Sequence, residues 1–140
     1  MKSLYPVIFT QTHDEKDTVL VNVPDLEILT EGYGMIDAVE MARDAIGLNG
    51  ITMEDAGQEI PAASKASDID ISKSEFASEG ESMISMVDID FTEYRRKTDH
   101  KSVRRNVTIP NWLNQEAVKA GLNVSRVLQD ALIDALDLSV

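Results

Sequence analysis

Between Val103 and Leu136 the sequence crowds one strand signal and two helix signals into fewer than 40 residues. The run VRRNVTI alternates, with Val107 and Ile109 on one side and Arg104, Asn106 and Thr108 on the other. Pro110 stops the strand and suits the first turn of a helix. That helix is predicted from Asn111 to Ala120, with Trp112, Leu113, Ala117 and Val118 apolar, and Gly121 ends it. Asn123 is placed to cap a second helix running to about Leu136. Its stripe of Val124, Val127, Leu128, Ala131, Leu132, Ala135 and Leu136 follows helical spacing. Such a unit cannot stand alone. The strand has no local partner for its backbone groups, and two short helices cannot cover their own stripes. Pairing with the same strand of a second chain answers both needs, so a two-fold dimer is expected.

The expected product is an intertwined ribbon-helix-helix dimer over residues 103–140, with Val107, Ile109, Trp112, Leu128 and Leu132 in its shared core. Trp112 reads as a core or interface anchor rather than as a base-stacking residue. The ribbon's outer face then carries Arg104, Asn106 and Thr108 from each chain. Two antiparallel strands fit the DNA major groove, and Arg and Asn suit bidentate contacts to guanine and adenine edges. Arg105, with Asn123 and Ser125 at the second helix's N-terminus, supplies phosphate-binding groups. The partners expected are operator double-stranded DNA and a second copy, with a dimer of dimers open.

A net charge of −12 argues against a nucleic-acid binder until it is divided along the chain. Residues 1–94 carry 20 acidic and five basic side chains, whereas residues 95–140 carry five acidic and eight basic ones. An acidic domain (residues 1–94), a basic linker (95–102) and the ribbon unit (103–140) follow. In the acidic part, Leu4 to Thr10, Thr18 to Val23 and Glu27 to Thr30 read as strands, Pro6 arguing for an edge or a strand start. A helix begins near Met35 after EGYG and is expected to end at Gly47 and Asn49-Gly50. Pro61 to Gly80 reads as an exposed excursion, and Ser82 to Thr92 as the longest strand. The fold class is therefore α+β, a small antiparallel sheet with one main helix on one face. That helix leaves Asp37, Glu40 and Asp44 outside, most simply as a solvated face, or as a surface that attracts a basic partner.

The chain contains no cysteine, which excludes a disulfide framework, a thiolate metal site and a cysteine nucleophile. Its apolar runs are too short for a signal peptide or a membrane span, so a soluble, cytoplasmic protein without a membrane partner is expected. His13 and His100 lie in polar segments without a second ligand, and no metal, cofactor or catalytic residue is assigned. An enzyme is the competing class. Asp88 and Asp90 alternate on one strand and face the same way, as in a metal-dependent, RNase H-like nuclease. The first strand offers no carboxylate to complete such a cluster. A stand-alone transcription factor responsive to a small ligand is a further alternative.

The run RRNVTIPNWLNQEAVKAGLNVSRVLQDALIDAL resembles the ribbon-helix-helix segment of HicB-type antitoxins. YPVIF near the start, EGYG before a helix carrying DAVEMARDAI, then IPAAS and the late strand are similar to that family in order and spacing. The resemblance covers nearly the whole chain. It implies a non-enzymatic repressor of its own operon that also neutralises a small basic, RNA-cleaving toxin of HicA type. It further implies that the N-terminal domain is a partial RNase H-like fold without its catalysis.

Overall fold

The computed structural model describes residues 1–138 and divides into two units, Met1–Lys101 and Ser102–Val140. In the first, strands β1 (Lys2–Gln11), β2 (Thr18–Val23), β3 (Ile28–Tyr33) and β4 (Glu81–Asp90) form one antiparallel sheet in the order β3-β2-β1-β4. Pro6 therefore lies in a central strand, not at an edge. The reason is register. β2 pairs only with Ile8 to Gln11, so on that side Pro6 meets no ladder whose bond it would break.

Helix α1 (Met35–Asp55) lies on one face of the sheet, and the short helix α2 (Phe91–Thr98) packs beside it. Tyr5, Val7, Phe9, Val19, Val21, Val23, Ala38, Ala42, Ile46, Val87, Ile89 and Phe91 close the core between them. The odd residues of β1 and β4 supply this face, as the period of two requires. Gly34 starts α1 at φ 87, a conformation that favours glycine. It offers no side-chain cap, and the Asp37 carboxylate instead accepts from the Tyr33 backbone N–H at 2.8 Å.

Three expectations are corrected here. α1 does not stop at Gly47 or Gly50 but runs through both to Asp55. These glycines serve close approach instead: a Cβ on Gly47 would stand 2.5 Å from the Tyr94 ring, and one on Gly50 would enter the Phe91 ring's van der Waals envelope. The strand expected to reach Thr92 ends at Asp90, whose side chain accepts from Glu93 N–H at 3.2 Å and caps α2. Residues 95–98, expected as linker, are the last turn of that helix. Arg95 fastens it to α1 through Glu54 (3.1 Å) and Asp55 (3.0 Å), and to Asp99 (3.3 Å).

The segment 61–80, expected as an exposed excursion, lies over the sheet's second face. It has no buried side chain of its own, yet it shields Ile8, Thr10 and Asn22. Polar clasps hold it. Ser64 donates from its N–H and hydroxyl to Asp25 at 2.7 and 2.6 Å, the Tyr5 hydroxyl donates to Pro61 O at 2.6 Å, and Asn22 Nδ2 donates to Ser74 Oγ at 3.0 Å.

In the second unit, helices α3 (Asn111–Lys119) and α4 (Val124–Ala135) follow residues 102–110, which carry neither helix nor strand. The alternating run VRRNVTI is thus not paired into a ladder within one chain. Gly121 turns the chain between the helices at φ 66, with its N–H donating to Val118 O and that of Leu122 to Ala117 O, each at 3.1 Å.

Candidate functional site

The second unit is built from exposed residues. Among its described residues none is buried, in contrast to the first unit's core. Val107 is 56% exposed, Trp112 67% and Leu132 50%, with Ile109, Leu113, Val124 and Val127 also open. Leu128 is partly covered. Dispersed surface apolars need no explanation, but a whole unit whose apolar stripe lies open has no core of its own.

Beside these side chains the segment before α3 carries Arg104, Arg105, Asn106 and Thr108, all exposed. Asn123 caps α4, its Oδ1 accepting from Arg126 N–H at 3.1 Å, so its carboxamide oxygen has a structural use. Ser125 stands exposed in the first turn of α4.

The charge division shifts with the observed boundary. The first unit holds 21 acidic and nine basic side chains, and the second holds four of each. The basic run at 95–101 thus belongs to the acidic unit, and part of it is spent on ion pairs: Arg95 as above, Arg96 with Glu93 at 3.2 Å and Lys97 with Glu93 at 3.8 Å. This was hidden in sequence because the partners of Arg95 lie 40 or more residues upstream, at Glu54 and Asp55.

On the first unit, α1, the end of β4 and α2 frame an open cavity of about 360 Å³, lined by Glu40, Arg43, Asp44, Asp88, Ile89, Asp90, Glu93, Tyr94 and Lys97. Of the three outer acids read from the helix pattern, Glu40 and Asp44 line this groove and Asp37 does not. Asp44 accepts from the Tyr94 hydroxyl at 2.9 Å. Burial first, then that hydrogen bond and the negative charge of Asp44, push the Tyr94 phenol up to about 12. Tyr94 and Lys97 were missed as groove residues, since nothing in the sequence pairs α2 with α1 except the glycines that admit it.

The two carboxylates of the nuclease alternative each have structural work. Asp88 pairs with Arg43 at 3.0 Å, and Arg43 Nε also donates to the Asp88 carbonyl at 3.1 Å. Asp90 caps α2. Among the described residues no three acidic or imidazole groups gather as a metal site, and no helix is long and apolar enough to cross a membrane.

An α+β sheet unit followed by a two-helix unit with an open apolar stripe is the architecture of a small two-unit α+β protein. The profile of the HicB-like antitoxin of bacterial toxin–antitoxin systems matches residues 5–129, and the chain belongs to that family. It is similar, at 27% identity and a TM-score of 0.59, to a solved chain of a toxin–antitoxin complex from Streptococcus pneumoniae, over 96% of this chain and 99% of that one. The antitoxin HicB of Burkholderia pseudomallei shares the fold at 22% identity and a TM-score of 0.51, over 99% of both chains. No curated protein sequence matches.

Proposed function

We propose that this antitoxin neutralises a HicA-type, RNA-cleaving toxin through its acidic unit and represses its own operon through a dimeric ribbon-helix-helix. The observation that carries the DNA-binding half is the second unit's open stripe. Val107, Ile109, Trp112 and Leu132 stand exposed in the unit and Leu128 is only partly covered, and a second copy of VRRNVTI supplies both a ladder partner and an apolar lid. Alternation then turns Arg104, Asn106 and Thr108 outward toward base edges, with Arg105, Asn123 and Ser125 toward phosphates. On this reading the domains are 1–94 and 103–140, with the connecting stretch 95–102 partly folded onto the first. A small sheet with a helix on one face is also compatible with a partial RNase H-like origin.

The toxin half rests on the acidic excess of the first unit, on the antitoxin family and on the likeness to a solved chain of a toxin–antitoxin complex. Glu40 and Asp44, exposed on α1, are the proposed contacts, with Asp37 as a weaker one because it already serves the helix start. The protein acts without a cofactor and in the bacterial cytoplasm. Operator binding by Arg104→Ala and Asn106→Ala tests the reading face, each change costing about 1–3 kcal/mol for a lost bidentate contact. Full-affinity binding by both variants would reject it.

A further inference from the structure

A helix that packs on a sheet by one side is expected to turn polar residues to the other. α2 obeys this, since its exposed residues are Arg96, Lys97 and Thr98. α1 does not. Ala38, Ala42 and Ile46 bury its inner side, while Met41 and Leu48 stand on the outer side, 37% and 54% exposed. Neither belongs to the core cluster or to the side chains packed against it. They are seven positions apart, so they lie two turns and about 10 Å from each other on one face. Asp44 stands between them, with Glu40 one turn before it, and both carboxylates are exposed.

Lone exposed apolar side chains are ordinary on a protein surface. Two of them seven positions apart on a helix have the spacing by which an apolar helix face docks. The carboxylates select the occupant. Apolar contact alone would accept a second copy, but two α1 faces brought together would set Glu40 and Asp44 against their own counterparts. The first unit as a whole holds 21 acidic and nine basic side chains, so copies repel one another and a basic partner is attracted.

We propose that Met41 and Leu48 are the apolar anchors on which the toxin is held, and that the toxin meets α1 with apolar side chains flanked by lysine or arginine. This rests on the toxin-binding reading above and adds to it what keeps the complex together once formed. The two kinds of side chain divide the work. Glu40 and Asp44 act at a distance and set how fast the partners meet, whereas Met41 and Leu48, covered only in the complex, set how long they stay.

Release of the cognate toxin from the full-length protein, followed by displacement in a stopped-flow instrument, tests this. Met41→Gln and Leu48→Gln place good helix formers on an open face, so urea midpoints are expected to stay parental. Each should speed release about tenfold, at low and high salt alike, with association unchanged. Met41→Leu and Leu48→Met keep the apolar volume and should release at the parental rate. Parental release by both glutamine variants would overturn the proposal and leave toxin capture standing. A lowered urea midpoint would overturn it too, by showing that these side chains pack within the chain. A smaller mass on sedimentation without toxin would show that a second copy covers the face instead. If the unsubstituted chain does not bind the toxin, the reading beneath the proposal fails along with it.

Discussion

The ring of Phe91 lies on bare backbone at Gly50, so that α2 sits closer to α1 than any other residue at that position would allow. Phe91 is itself buried, and burying such a ring is worth about 1.5–3 kcal/mol. Gly50→Ala brings two effects into opposition. Alanine favours the helix by about 1 kcal/mol, whereas overpacking costs about 1–3 kcal/mol. The intruding Cβ meets a ring with no free side to swing to, so the cost wins. Urea denaturation should show Gly50→Ala less stable than the parent protein, by up to about 2 kcal/mol. Equal or greater stability would mean that Phe91 is not seated there.

Arg95 is the polar counterpart of that contact. It ties α2 to Glu54, Asp55 and the Ile51 carbonyl, and it is only about a third exposed. Exposed pairs are worth little individually, at about 0–1 kcal/mol, so Arg95→Gln should barely shift the global midpoint. It should instead raise amide exchange locally over residues 91–98, as loosening of one small helix does. Exchange unchanged in α2 would contradict the clasp.

Tyr94 gives a pH signature. Its folded-state pKa of about 12 lies above the ordinary value of 10, because burial and Asp44 favour the neutral phenol. The sign follows from linkage. The contribution is fully present below pH 10 and is lost as pH rises from 10 through 12. Burial raises the Tyr5 phenol as well, so an ultraviolet phenolate titration should show a late component that shrinks in Tyr94→Phe and shifts down in part in Asp44→Asn. A titration in which Asp44→Asn changes nothing would separate the two groups.

The toxin-facing proposal predicts a charge effect on association. Glu40→Gln with Asp44→Asn should weaken capture of a basic toxin chiefly by slowing association at low salt, with the difference fading as salt rises. Stopped-flow association with the cognate toxin measures this, and identical rates at low salt would remove α1 from the interface.

Much of the fold is legible in local pattern: the strands of β1, β2 and β4, the start of α1, and the Pro110, Gly121 and Asn123 boundaries of the last two helices. The misreadings share one physical cause, which is that long-range packing overrides a local signal. Gly47 and Gly50 look like helix stops but are spacers for Tyr94 and Phe91. RRK after Tyr94 looks like a linker because the acids that fix Arg95 are far away in sequence. The segment 61–80 is exposed as its pattern reads, with no buried side chain; what the sequence does not show is its polar hold on the sheet, through Ser64, Ser74 and the Pro61 carbonyl. For the proposed DNA face, alternation alone marks Arg104, Asn106 and Thr108, and a single chain adds only their exposure.

The most direct test compares the full chain with residues 1–101 for binding to DNA upstream of the gene, across a salt series. The account predicts tight binding by the full chain that weakens steeply with salt, as phosphate contacts require, and loss of that binding when Ser102 onward is removed. No binding by the full chain at low salt, or equal binding by the shortened one, would contradict the assignment of the second unit as the DNA reader.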